Sequence, residues 1–198
     1  MDNWHFPPDY EDRVWTSEQP KPTRKSTSWF KEIAQLVLIV VVLRVLLDAL
    51  LPRYVVDGAS MEPNFHTSER VIVDRISMVV TGPSRGDVVV LESPTDPDDL
   101  LIKRVVGLPN ETIEIRNGRV HIDGELLDEP YVSEFCTYRS CNGRWELGPE
   151  EYFVLGDNRS SSYDSHSFGP VATELIKGIA RVRYWPFSEV DILDAPEY

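Results

Sequence analysis

A serine hydroxyl attacks an amide carbonyl only when a neighbouring group takes its proton, and Ser60 in Ser60-Met61-Glu62-Pro63 is a candidate for that attack. Taken alone, a Ser-x-x-Pro in a loop is ordinarily a turn. The usual proton acceptor would be a histidine oriented by a carboxylate. The chain has four histidines, and they are poor candidates: His5 lies in a charged, Pro-rich stretch, His66 in a polar turn and His121 beside a hairpin. Only His166, closely following Asp164, stands among other polar groups that could support chemistry.

Lysine is the other base that serves serine, provided burial lowers its pKa toward neutrality. Leu100-Leu101-Ile102-Lys103-Arg104-Val105-Val106 offers such a place. On a strand, Lys103 shares a face with Leu101 and Val105, so its ammonium enters apolar surroundings with no carboxylate nearby in sequence. The bland alternative is a lysine snorkelling from an edge strand. A third element is Gly156–Gly169, where the apolar strand Phe153-Val154-Leu155 ends in a glycine turn followed by small hydroxyls. Ser162 and Ser165 could hydrogen-bond a neutral amine and hold it toward a nucleophile. Asp157 and Arg159 read as residues that fix this loop rather than react.

These residues need elements to position them. Residues 33–51 are interrupted only by Gln35, Arg44 and Asp48, and at about 1.5 Å per residue such a helix nearly matches a hydrocarbon core of about 30 Å. Arg44 and Asp48 share a helical face, where they pair or snorkel. Neither Ala49 (Leu47 before it) nor Ala59 (Asp57 before it) completes a small-x-small cleavage site, so the stretch reads as an uncleaved anchor. Lys21, Arg24, Lys25 and Lys31 precede it and only Arg53 follows closely, which places the N-terminus in the cytoplasm and the rest outside. The organisation expected is therefore a disordered cytoplasmic tail over 1–32, a single-pass transmembrane helix over 33–51 and one extracytoplasmic domain over 52–198.

Beyond the anchor, short β-rich runs alternate with turn residues: 54–56, 70–75, 87–92, 100–106, 112–116, 119–122, 152–155 and 176–184. Arg116-Asn117-Gly118-Arg119 is the strongest local signal, because Asn-Gly supplies the positive-φ pair of a tight hairpin. His121-Ile122-Asp123-Gly124-Glu125 suggests another directly after it. The pattern predicts a mainly β domain with no internal repeat and no long helix outside the membrane. A formal net charge of −13 excludes a nucleic-acid binder, which needs a basic footprint. Cys136 and Cys141 could close a small loop as a disulfide in an exported domain. With no further Cys or His at ligand spacing they make no closed zinc site, so neither metal nor cofactor is expected.

Ser60-Met61-x-Pro63, Arg85-Gly86-Asp87-Val88-Val89, Lys103-Arg104-Val105-Val106-Gly107-Leu108-Pro109 and Gly156-Asp157-Asn158-Arg159-x-x-Ser162-x-Asp164-Ser165 together resemble the four ordered motifs of type I signal peptidases. The resemblance covers most of residues 54–170. It implies a complex, barrel-like β-sheet catalytic domain, a Ser/Lys dyad and removal of signal peptides from preproteins emerging from the translocation machinery at the membrane lipid. Under it, Ser60 is the nucleophile and Lys103 the general base. Ser162 orients the lysine, Asp164 and Arg159 support the site loop, Met61 lies near the scissile bond, and the Ser60 N–H contributes to the oxyanion hole. The chain departs from the pattern at Gly58, which supplies no hydroxyl to that hole, and at His166, where many members carry arginine. A mostly neutral histidine weakens any salt bridge to Asp164. Asn110 replaces a frequent glycine, a tolerable change because Asn accepts left-handed geometry. The rival readings are a repressor-type Ser/Lys autoprotease, which would need a helix-turn-helix domain in place of the tail, and a binding-only β-domain with no activity.

Overall fold

The computed structural model describes residues 1, 28–136 and 141–196. The chain divides into two compact units, Met1–Val42 and Leu43–Tyr198, with the boundary inside the first helix. That helix, α1, is Ser28–Leu50, starting before the expected position 33. No proline lies between Ser28 and Leu50, and nothing in Trp29-Phe30-Lys31-Glu32 opposes helical geometry. Pro52 follows its end, where the residue before a proline is driven out of the α region. Over Trp29–Leu50 it is long and apolar enough to cross a membrane. The aromatic residues of the tail, Trp4, Phe6 and Trp15, lie outside the described residues.

The second unit is built from antiparallel strands. Among the described residues, one sheet runs in the order β1 (Arg53–Val55), β2 (Arg70–Asp74), β11 (Ile176–Trp185), β3 (Val88–Glu92), β4 (Leu100–Gly107), β9 (Glu151–Leu155) and β10 (Val171–Ala172), with β12 (Asp191–Ile192) also on β11. A smaller sheet runs β7 (Glu125–Leu126), β6 (Arg119–Ile122), β5 (Thr112–Arg116), β8 (Gly143–Glu146). The expected strands all appear, with ends within one residue of the expected bounds, and the hairpin expected over His121–Glu125 forms with β7 as its second strand. The sequence pattern does not predict β8, β10 and β12. They are short, and their residues alternate too briefly to stand out from loop sequence.

Period-two alternation divides the core. Val88 and Val90 join Val56, Met61, Phe65 and Ile102 in one cluster. Val89 and Leu91 join Val105, Val154 and Ile179 in a second cluster, as alternate side chains of a strand must. A register shift between Val105 and Gly107 opposite β9 lets Val106 enter a third cluster with Ile113, Val120 and Phe153, which joins the smaller sheet to the β4–β9 end of the larger one. Asn117 and Gly118 have φ of 52° and 76° in the β5–β6 turn, and Asp123 and Gly124 have 51° and 92° in the β6–β7 turn. Asn110 sits at φ 67°.

Two short helices complete the unit. Arg75–Val80 (α2) forms because the Asp74 carboxylate accepts from Ile76 N at 2.8 Å and Ser77 N at 3.1 Å, an N-cap that overrides the β-branched side chains which follow. Ser165–Phe168 (α3) is capped by Asp164 in the same way.

Candidate active site

Ser60 follows β1 after a turn at Gly58, whose φ is +86°. The loop is closed by Glu62 N to Ala59 O at 3.2 Å and Phe65 N to Met61 O at 2.9 Å. Met61, fully buried in the first core cluster, pegs the loop to the sheet. Lys103 lies in the middle of β4, opposite Val89 of β3, and only 3 % of its surface is exposed. β4 is flanked by β3 and β9, so the lysine does not snorkel from an edge. Its Nζ donates to Ser60 Oγ at 2.8 Å. Burial pushes the Lys103 pKa down, against the opposing pull of Asp164, Asp157 and Asp99. The expectation of no carboxylate nearby in sequence needs correcting, because Asp99 stands four residues before Lys103; the fold adds Asp157 and Asp164 within electrostatic reach, yet desolvation still wins.

The loop after β9 clasps Ser60. Asn158 N donates to Ser60 O at 3.0 Å and Asn158 Nδ2 to Ala59 O at 3.1 Å. Gly156 passes so close that a Cβ there would sit 2.2 Å from Ser162 Oγ and 2.5 Å from Ser60 O, which is why the position needs glycine. Ser162 Oγ is buried and makes no hydrogen bond, so its hydroxyl is an unused polar group lying against the same glycine. Ser165, the other hydroxyl considered for the amine, is committed elsewhere: its Oγ accepts from Val154 N at 3.0 Å.

The acidic and basic residues of this loop form a frame around it. Asp157 makes a two-pronged pair with Arg104, Nε at 2.8 Å and Nη2 at 2.7 Å, and accepts from Asn64 Nδ2 at 2.8 Å. Arg104 also donates to Gly86 O at 2.8 Å and lies over the Tyr131 ring. Arg159 donates to Gly156 O at 3.0 Å and pairs through both terminal nitrogens with Glu129. Asp164 is fully buried, with Oδ2 accepting from Gly156 N at 2.8 Å and Oδ1 lying 2.6 Å from His166 Nδ1. The expectation of a weak Asp164–His166 contact needs correcting, because that hydrogen bond raises the His166 pKa and favours the charged ring. Cys136 and Cys141 are joined as a disulfide.

Sequence reading missed Asn64, Arg104, Glu129, Tyr131 and Asn158 as supports. Arg104 and Asn158 did carry a signal, each sitting next to a residue already singled out. Glu129 and Tyr131 lie in a stretch without periodicity, where nothing marked them.

On the larger sheet, Val55, Val56, Val90, Leu100 and Ile102 line a depression of about 30 Å³. β1, whose residues border it, pairs only with β2 among the described residues and is an edge of the sheet.

Residues 26–185 match the family described as signal peptidase, peptidase S26. The chain is 39 % identical over 147 residues to a probable signal peptidase I-2 of Synechocystis sp., covering 71 % of this chain and 66 % of that protein. It is 38 % identical to a signal peptidase I of Leptolyngbya laminosa, over 73 % of each. A signal peptidase I S of Bacillus subtilis is 36 % identical over 88 % of this chain and 97 % of its own length.

Proposed function

The chain belongs to the signal peptidase family, peptidase S26, and from that membership we propose that it is a membrane-anchored endopeptidase that removes signal peptides from preproteins, with Ser60 as nucleophile and Lys103 as general base. The observation that carries the assignment of the dyad is the 2.8 Å contact between Lys103 Nζ and Ser60 Oγ on a strand that leaves the amine almost wholly buried.

The reaction follows from that contact. A neutral Lys103 amine accepts the Ser60 proton as Oγ attacks the scissile carbonyl. The Ser60 N–H donates to the developing oxyanion, and a donor of this kind supplies about 3 kcal/mol in comparable chemistry. Lys103 then protonates the leaving amine and, neutral again, activates the water that hydrolyses the acyl-enzyme. No cofactor enters these steps. Ser162 is suited to orienting the amine, since its buried Oγ makes no hydrogen bond and is free to do so. Asp157, Arg159 and Asp164 hold the loop on which it sits, and Met61 fixes the turn beside the scissile bond.

Substrate selection would rest on the apolar depression by β1, whose aliphatic lining suits a small apolar side chain such as alanine. An extended peptide would add at the β1 edge. The apolar helix would span the membrane once with the N-terminus in the cytoplasm, as the basic residues preceding it favour. The substrates would then arrive from the translocation machinery at the lipid surface. A binding-only domain has no observation in its favour.

Cleavage of a preprotein in detergent tests the dyad. Ser60→Ala and Lys103→Ala are each expected to lose about 10³-fold or more of the activity, and full activity in either variant overturns the assignment. Wild-type activity should also fall as pH drops through the depressed Lys103 pKa, because the ammonium cannot accept a proton.

A further inference from the structure

His166 is bound to the site loop by a geometry that survives its own titration. Its Nδ1 lies 2.6 Å from Asp164 Oδ1 and its Nε2 lies 3.2 Å from Ser167 Oγ. The neutral ring with its proton on Nδ1 donates to Asp164 and accepts from the Ser167 hydroxyl. The charged ring donates to both, needing only a rotation of that hydroxyl. Gaining or losing the proton therefore changes charge without moving the loop. The other oxygen of the same buried carboxylate holds Gly156 N, Gly156 lies against Ser60 O, and Ser60 Oγ touches Lys103 Nζ.

We propose that His166 is a positioning residue for the dyad whose charge state sets, through Asp164, how much negative charge faces the Lys103 amine. A charged His166 offsets Asp164, so Lys103 gives up its proton more readily and is available as base at lower pH. A neutral His166 leaves Asp164 uncompensated, which holds the proton on Lys103. The proposal rests on the reading of Lys103 as general base.

Of the other charges around these groups, Arg159 and Asp157 are themselves paired. On its own element His166 faces Asp164 and Ser167. From the preceding loop it faces Arg159, which disfavours its charge and is itself paired with Glu129. Ile115, Leu155 and the Cys136–Cys141 disulfide adjoin it on the remaining side and carry no charge. Lys103 faces Asp164, Asp157 and Asp99, of which Asp157 is neutralised by Arg104. The Asp164–His166 pair is thus the neighbour of Lys103 whose net charge changes when an imidazole titrates.

The test is the pH dependence of preprotein cleavage by the full chain, each protein scaled to its own plateau. His166→Arg keeps the positive charge at every pH and His166→Gln removes it at every pH. The acid limb is expected at lowest pH in His166→Arg and highest in His166→Gln, about 0.3–1 pH unit apart, with KM unchanged. A merely structural role lowers the plateau without separating the limbs. Coincident limbs, with Ser60→Ala inactive in the same assay, overturn the proposal alone; an active Ser60→Ala overturns the dyad on which it rests. A second measurement reads the amine directly: the NMR titration of Lys103 should lie at higher pH in His166→Gln than in His166→Arg, and coincident titrations overturn the proposal.

Discussion

At the scale of single residues, charge placed out of water is what organises this site. Lys103 bears a cost in the folded state because its buried ammonium is disfavoured. With the folded pKa below the unfolded value of about 10.5, the unfolded chain binds more protons between the two values, so stability rises with pH across that window and the full cost is present below the folded pKa. Lys103→Met should therefore be more stable than wild type at neutral pH, with the gain vanishing toward the unfolded lysine value. Thermal melts of both proteins across pH check this. The Arg104–Asp157 pair has the opposite consequence, because removing one partner strands the other. Arg104→Gln leaves the wholly buried Asp157 carboxylate without its guanidinium, and should cost about 3–5 kcal/mol in denaturant unfolding.

Individual elements decide whether those residues meet. The loop after β9 reaches Ser60 only because Gly156 has no side chain, the backbone oxygen of Ser60 standing 2.5 Å from where a Cβ would be. A backbone atom cannot swing aside as a flexible side chain can. Gly156→Ala should displace the nucleophile, and misplacement on the order of 1 Å costs about 10²-fold in rate. The accompanying overpacking should cost about 1–3 kcal/mol of stability. Steady-state cleavage rates and thermal melts on the same sample separate the two effects; an unimpaired rate would show that the loop tolerates the methyl. The β5–β6 turn is similarly constrained, since Gly118 combines φ +76° with Cys136 O only 2.0 Å from a Cβ position.

For the whole molecule, the second unit depends on ties between segments far apart in the chain. The segment leading to Cys136 carries Glu129, which pairs with Arg159, and Tyr131, which lies against Arg104. The disulfide then closes the short loop that follows this segment, and its two cysteines line a small cavity together with Ile115, Leu155 and His166. Closing a loop of this size constrains the unfolded chain by about 2 kcal/mol. Reduction should lower the denaturant midpoint by a corresponding amount, with activity lost at a lower denaturant concentration than in the oxidised protein. Equal midpoints with and without reductant would show that the crosslink adds nothing to the packing around it.

What the sequence determined by itself is what local physics specifies. A run of apolar residues gives α1, alternation gives the longer strands, Asn117-Gly118 gives a tight turn, and the apolar positions flanking Lys103 mark it as a lysine on a buried strand. Each of these is encoded by neighbours a few residues apart. Tertiary structure decided the partners: Arg104 and Asp157 lie 53 positions apart, Asn64 and Asp157 93, and Glu129 and Arg159 30. Charges so distant meet only when sheet order and register bring their strands together, and no local pattern records that. The same reason hid most of the surroundings of Lys103, since of the three carboxylates that act on it only Asp99 is close along the chain. Only the folded chain sets Asp164 close enough for its charge to bear on Lys103.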